Sequence, residues 1–451
     1  MIPAASHRRP IRRVRTCRGG DTELLFPSNQ LIVYASREES FGKARGIDGS
    51  DAFFTLSDVL TPISERDVRP DRSGSSDHLE RWIGRKSAAF EINMLLSTDA
   101  NLLFDNVFGQ PSGNGADVDY MLSTGHTESL TIRRAIRGDN GAAYQDHVRG
   151  AIVTEAEVAW GNYGHRGLAA VTFRGSAKDW GWTGNTSIAS GYLNISSVAS
   201  TFRVASSRQL SIGSLFKVGT STGGGSGILV DSVNHTNGVV SFSQSLGTTL
   251  SSGYAVSPYN PTAITAGSPL HIRQGAFLLD DSSMDHLGGV IDLVGGRSLV
   301  NEEVGQESPN TIVSMSRRNV VFGVDFMAKK DEVGDLLGDM ERNTAHDISI
   351  EIGNVRISMR KIEWNMKPVH VPENESAKLR MVGQALGTND NDSLQMSGFT
   401  LSNVGHWGSD SSPGWASATT AEKAATGFWG TSFGYALTSD AASRNVSRWW
   451  Y

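Results

Sequence analysis

Two carboxylates, Glu155 and Glu157, stand two residues apart in VTEAEVAW (153–160). A glycosidase needs a carboxylate pair for its acid–base work, but on a strand this spacing simply puts both on one polar face. Asp280, Asp281 and Asp285 form a second acidic group, and Asp390 and Asp392 in TNDNDS a third. Calcium uses carboxylates in turn-like contexts. Neither group has the glycine and closing Glu of a helix–loop–helix calcium site, so both read as solvated turns.

Other chemistry is absent from the sequence. There is no Gly-x-Ser-x-Gly elbow and no His-Glu-x-x-His, and no Gly-x-Gly-x-x-Gly joins an expected strand to a helix. Gly223-Gly224-Gly225 is not followed by Gly-Lys-Ser/Thr, which leaves a phosphate-binding loop unsupported. The 11 histidines are scattered, and the single cysteine, Cys17, excludes an internal disulfide framework and a cysteine-based zinc site. The expectation is a protein that is not an enzyme and takes no cofactor or metal.

The elements that carry the carboxylates occur twice. Residues 85–107, RKSAAFEINMLLSTDANLLFDNV, and 317–340, RRNVVFGVDFMAKKDEVGDLLGDM, both open on a basic pair. Each continues as an alternating strand, with Phe90, Ile92 and Met94 in one and Phe322, Val324 and Phe326 in the other. Each then enters an amphipathic helix, carrying Leu103, Phe104 and Val107 or Leu336, Leu337 and Met340 at matching spacing. VTEAEVAW then aligns with ISMRKIEW (357–364), pairing Val158 with Ile362 and Trp160 with Trp364. LAAVTFRGSA (168–177) aligns with SAKLRMVGQA (376–385), pairing Val171 with Leu379, Phe173 with Met381, Gly175 with Gly383 and Ala177 with Ala385. A one-residue slip would invert the apolar face of either strand. The pattern predicts a duplicated strand–helix–strand–strand domain.

The chain of 451 residues has room for several domains, and its 50 glycines, 20% charge and 38% apolar content suit a loop-rich, mainly β protein. No apolar run is long enough to span a bilayer, and no apolar segment follows the N-terminal arginines as a secretory signal would require. Residues 1–20 hold six arginines and no acid, leaving −12 for the remainder of a chain whose net charge is −6. This basic arm would suit nucleic acid or an acidic neighbour, or be a simple extension. An acidic body argues against general nucleic-acid binding.

The resulting division is a basic arm (1–20), a first domain (21–190), an insert (191–262), a second domain (263–400) and a C-terminal extension (401–451). In the insert, 210–220, 227–233, 238–246 and 253–259 read as short strands between turns such as Asn237-Gly238, predicting a small β-barrel. The extension holds Trp407, Trp415, Trp429, Trp449 and Trp450. Clustered tryptophans anchor an interface, fold back over their own domain or stack on sugars. Two long polar stretches, 61–84 and 295–316, precede the paired strands and read as extended arms.

A strand of the type RKSAAFEINMLL leads into the helix LLFDNVFG, followed by a strand ending in Trp160 and by AAVTFRGSA. This order, with EW (363–364) and LRMVGQA (379–385) in the second half, resembles bacteriophage tail tube proteins in which one chain carries two tube domains. The resemblance covers roughly residues 52–182 and 288–386 and rests on the order of strands, arms and helices. It implies mainly β, sandwich-like tube domains, each flanked by a helix, whose inner sheets join around a pore. It further implies a virion protein, assembled in the host cytoplasm into stacked rings, a trimer supplying six domain positions. Implied partners are other copies, tape measure, terminator and baseplate proteins, and DNA in passage without specific binding; no membrane is involved. A related baseplate or terminator ring protein, a carbohydrate-binding adhesin, or a non-viral filament or secretion tube of the same architecture is the alternative. The basic arm, the insert and the Trp-rich extension have no role assigned by the resemblance.

If Phe90, Ile92 and Met94 face the core, then Glu91 and Asn93 face away, as do Glu155, Glu157 and Asp325; some of these five are expected to line the lumen. A lumen of carboxylates repels phosphate and lets DNA slide. Arg66, Arg69, Arg72 and Arg81 on one arm and Glu302, Glu303 and Glu307 on the other are the expected ring-to-ring contacts.

Overall fold

The computed structural model describes residues 31–399 except 48–50, 69–80, 99–101, 109–110, 115–116, 123–127, 138–142, 192–194, 224–226, 262–268, 272–274, 301–306, 315–316, 328–329, 370–377 and 389–391. The protein is mainly β with large antiparallel sheets. The first half runs β1 (Leu31–Arg37), β2 (Ala52–Phe53), β3 (Thr55–Val68), β4 (Arg81–Leu95), α1 (Leu102–Phe108), β5 (Pro111–Asn114) and β6 (Asp117–Met121). It continues through β7 (Leu130–Arg137), β8 (Ala143–Gly161), β9 (Ala170–Ala177) and β10 (Asp179–Thr183).

The insert contributes β11 (Thr186–Ser187), β12 (Thr201–Arg203), β13 (Leu215–Val218), β14 (Ile228–Asn234), β15 (Val239–Phe242) and β16 (Ala255–Pro258). The second half runs β17 (Gly275–Leu279), β18 (Ser282–Met284), β19 (His286–Val294), β20 (Arg297–Val300), β21 (Thr311–Ser314) and β22 (Asn319–Met327). It ends with α2 (Lys330–Arg342), β23 (His346–Ile352), β24 (Val355–Val369), β25 (Lys378–Ala385) and β26 (Leu394–Phe399).

The duplication is visible in the ladder. Phe90 pairs with Gly175 and Ile92 with Phe173 in the first half; Phe322 pairs with Gly383 and Val324 with Met381 in the second. Both alternating strands bury the same face: Phe90, Ile92 and Met94, and Phe322, Val324 and Phe326. The sequence match of 153–160 with 357–364 is displaced, however. The partner of Gly175 on β8 is Val153, whereas the partner of Gly383 on β24 is Trp364. Val153, not Trp160, is therefore the counterpart of Trp364. Alternation repeats every two residues and has no unique origin along a long strand, so it does not fix this register.

Long strands β8 and β24 each serve two sheets. The first part of β8 pairs with β7 and β10, and its last part with β9 and β19. The change of sheet occurs at Gly150, with φ 59°, and at the matching Lys361 of β24, with φ 48°. A carboxylate accepts the backbone N–H of each kink residue: Glu38 that of Gly150 at 2.8 Å, Asp347 that of Lys361 at 3.0 Å. Glu38 is buried and also accepts from Ser129, Thr131 and Gly42. Burial raises its pKa despite these donors.

The two halves are not separate beads. β19 pairs with β8 from Gly288–Gly161 to Val294–Glu155, and β26 pairs with β6. Phe399 of β26 lies 5.5 Å from Phe104 and 5.2 Å from Tyr120, inside the first half's aromatic cluster. One hydrophobic core therefore runs through both. The helices differ more than their spacing suggests. All seven residues of α1 are buried, whereas α2 buries Leu336, packs Met340 on the core and leaves Leu337 exposed. Its inward stripe follows i, i+4, so Leu337 falls on the wet face.

The insert has its own core, with Phe202, Phe216 and Phe242 in mutual contact. It is a six-stranded sheet and not the expected closed barrel, its end strands touching only at the Ile188–Val204 bridge. One bridge pair, flanked by two backbone hydrogen bonds, joins those ends in place of a continuous ladder.

Candidate functional site

An eight-stranded sheet, in the order β3-β4-β9-β8-β19-β22-β25-β24, crosses both halves. One face covers the core. A single row across the other face reads Ser57, Asn93, Thr172, Glu157, Asp292, Val321, Gln384 and Glu363. The neighbouring row places Val59, Glu91, Arg174, Glu155 and Val294 side by side. Strand alternation keeps these polar groups off the core.

Arg174 organises the first half of this face. Its Nη1 lies 2.9 Å from Glu155 and 3.1 Å from Glu157, and its Nε 3.3 Å from Glu91. Burial works against the guanidinium charge, but hydrogen bonding and attraction from Glu157 and Glu155, with Glu91, outweigh it and raise its pKa. Asp292 lies opposite Glu157. Partial burial, then repulsion from Glu157 and Glu155, raises its pKa. Arg174 and Asp292 were not singled out from the sequence. Their signal was there: each stands between two core-facing strand positions, in FRG and IDL.

Asn93 lies on the same face, between Ser57 and Thr172. Asp325 shares the face but is covered: Tyr163 donates to it at 2.5 Å, and Arg380 lies 3.7 Å away. The Arg380 guanidinium also sits 5.2 Å from the centre of the Tyr163 ring. This trio clamps the loop after β8 onto β22 and β25.

The insert packs on the far side of the other sheet of the first half. Arg133 donates to Gly213 O at 2.8 Å, Gln145 to Tyr259 O at 3.3 Å, and His147 Nε2 lies 3.1 Å from Ile212 O. Burial, then Arg133, drives the His147 pKa well below its usual value. Val33, Ile132 and Val148 on the opposite face of that sheet join the main core. The insert therefore leaves the polar face open.

Both arms contain hairpins, β3–β4 and β20–β21. Arg66 lies opposite Ile83 and Arg81 opposite Val68. Glu307 pairs with Lys86 of the same chain at 2.9 Å, between two exposed side chains. Arg69, Arg72, Glu302 and Glu303 lie outside the described residues, as do the basic arm and Trp407, Trp415, Trp429, Trp449 and Trp450.

The acidic turns have protein partners. Asp280 accepts from the Asp347 N–H and contacts His346, Asp281 contacts Arg356, and Asp392 accepts from Thr388. Asp285 lies between β18 and β19, and Asp390 outside the described residues. Among the described residues no cluster has the make-up of a metal site, and no helix is long and apolar enough to cross a membrane.

No family model matches the chain, and no curated protein matches it. Among solved structures the chain is similar to one described as "Crystal structure of Hcp protein", with 13% identity. That match covers 34% of this chain and 91% of the other, with a TM-score of 0.20. A likeness of that size is too weak to argue from.

Proposed function

We propose that this chain is a ring-forming structural subunit of a bacteriophage tail tube, with the polar face of the eight-stranded sheet turned to the lumen. One observation carries the reading: the sheet has one core-covered face, one open polar face with an acidic first-half side, and two outer strands without a strand partner on their far sides among the described residues. Such edges seek strands, and closure into a ring removes them. Three copies would supply six domain positions.

Glu91, Glu155, Glu157 and Asp292 exceed the charge of Arg174 and give the first-half side of the face a negative field, which repels DNA phosphate without reading sequence; on the second-half side Arg380 and Lys378 balance Asp325 and Glu363. The protein acts by shape and charge rather than by catalysis, in the virion tail after assembly in the host cytoplasm. Its tube ends would meet tape measure, terminator and baseplate proteins.

Negative-stain electron microscopy of the purified full chain at rising concentration tests this. Hollow tubes or stacked rings with a central pore are expected. Closed rings that never stack would move the role to a baseplate or terminator ring. Chains that stay monomeric even when seeded with pre-formed tail ends would overturn the reading.

A further inference from the structure

The chain contains a junction of the kind its ring needs. Gly175 and Gly383, opposite Phe90 and Phe322, fix the correspondence of the two halves. Counting outward, β3 corresponds to β19: Val59 and Val290 lie opposite the equivalent Glu91 and Gly323. Both strands are bulged at the same place, between Thr55 and Ser57 and between His286 and Gly288. On the other side, β24 corresponds to β8: Asn365 and Glu155 lie opposite the equivalent Val382 and Arg174. Within the chain β8 and β19 pair. Their counterparts β24, from Glu363 to Val369, and β3 are the outer strands of the sheet.

We propose that copies join β24 to β3 in the register of this internal seam, and that two prolines weaken that junction. The proposal rests on the ring reading above. Substituting counterparts, the seam pair Glu155–Val294 becomes Asn365–Ile63, Ala156–Leu293 becomes Met366–Pro62, and Val158–Ile291 becomes Pro368–Leu60. Ile63 and Asn365 are both exposed in the single chain, and so are Leu56 and Val59 along β3 and Phe54 just before it.

The prolines follow from backbone direction. The Met366 N–H donates to Met340 Sδ at 3.2 Å, on the side away from β25. Successive N–H groups alternate sides, so the Pro368 nitrogen lies on that same outer edge. Pro62 lies within the β3–β4 ladder opposite Ala88. Proline is tolerated there when its nitrogen faces the unpaired edge. In the proposed register each proline therefore removes one hydrogen-bond donor from the junction, Pro62 opposite Met366 and Pro368 opposite Leu60, and the Met366 N–H exchanges Met340 Sδ for the Pro62 carbonyl. Their counterparts in the internal seam, Leu293 and Val158, keep theirs. The seam inside the chain is thus the tighter of two like joints, and the joint between chains stays reversible until assembly is wanted.

Disulfide trapping in the full chain carrying Cys17→Ser reads the register. Ile63→Cys with Asn365→Cys, a non-hydrogen-bonded cross-strand pair, is expected to give head-to-tail linked oligomers on a non-reducing gel. Thr61→Cys with Asn365→Cys, slipped by two residues, is expected to link far less. Linking of the slipped pair instead, or rings whose predicted cysteines stay free, would overturn the register while leaving the ring reading intact. Absence of any assembled species with or without the cysteines would sink both.

The second readout is the concentration of half-assembly. Pro62→Val and Pro368→Val each restore one donor per junction and, in a closed ring of three, should lower it about tenfold, the equivalent of one hydrogen bond of about 1 kcal/mol at each of three junctions. No change in either variant would overturn the role given to the prolines.

Discussion

Phe90 lies over the bare backbone of Gly175: a β-carbon there would run into Phe90 Cζ and Cε1 and into the carbonyl oxygen of Ile152. Phe322 stands over Gly383 in the same way, its Cε1 2.6 Å from where a β-carbon would lie, with the Glu363 carbonyl oxygen nearer still. An aromatic ring seated on a cross-strand glycine makes the two strands pack as one surface, and the device occurs at equivalent places in both halves. Gly175→Ala and Gly383→Ala should each destabilise by about 1–3 kcal/mol through overpacking. Thermal melts would check this, and an unchanged midpoint in both variants would contradict the packing.

The Tyr163–Asp325 hydrogen bond joins the loop after β8 to β22, so it reports on the contact between halves. Tyr163→Phe leaves Asp325, which is 8% exposed, with Arg380 at 3.7 Å. The expected loss is about 1–2 kcal/mol, because a buried carboxylate loses a donor. Urea unfolding would measure it.

Asp105 of α1 makes an ion pair with Arg37 at 2.9 Å, yet burial pushes its pKa up to about 7. The folded state then holds its proton more tightly than the unfolded chain, where the carboxyl titrates near 3.8. Stability must fall as pH rises from about 4 through about 7, with the full penalty above that. Asp105→Asn should flatten this slope. A melting profile between pH 5 and 8 with the same slope in both proteins would contradict the assignment.

How much the sequence could reveal depended on which physical signal each feature leaves. Core-facing Phe90, Ile92, Phe322 and Val324 were legible because alternation is a strong signal, and Gly175 and Gly383 because no other residue fits beneath a ring. The counterpart of Trp364 was misplaced because β8 and β24 change sheets midway, and alternation passes through such a kink unmarked. Gly150 marks the kink in one half, but Lys361 does so in the other, where a lysine gives no warning of positive φ. The convergence of Glu91, Glu155 and Glu157 on Arg174 required the ladder order β4-β9-β8, which no local pattern contains.

That kink makes its own prediction. Lys361 holds φ 48° where its counterpart is glycine. Lys361→Gly should stabilise by about 1 kcal/mol, since the left-handed conformation is strained for a side chain and free for glycine. The greater flexibility of glycine in the unfolded chain offsets part of that gain. A loss of stability would mean that the lysine side chain is needed at the kink.

Arg174 decides whether the acidic face is an ordinary wet surface or an organised one. If its three contacts merely solvate, Arg174→Gln should leave stability unchanged, as for most exposed ion pairs. The geometry argues otherwise: one guanidinium on β9 sits among Glu91 of β4 and Glu155 and Glu157 of β8, with Asp292 on β19 beyond, and removing it leaves four carboxylates unneutralised across these strands. The variant should melt a few degrees lower at low ionic strength. Added salt should recover most of the loss, because the screening length drops from about 10 Å at 0.1 M to about 3 Å at 1 M. Acidification should do the same, since protonating Asp292, whose pKa is already raised, removes one of the repelling charges. A melting deficit insensitive to both salt and pH would assign Arg174 a packing role and leave the charge of the face without a keystone.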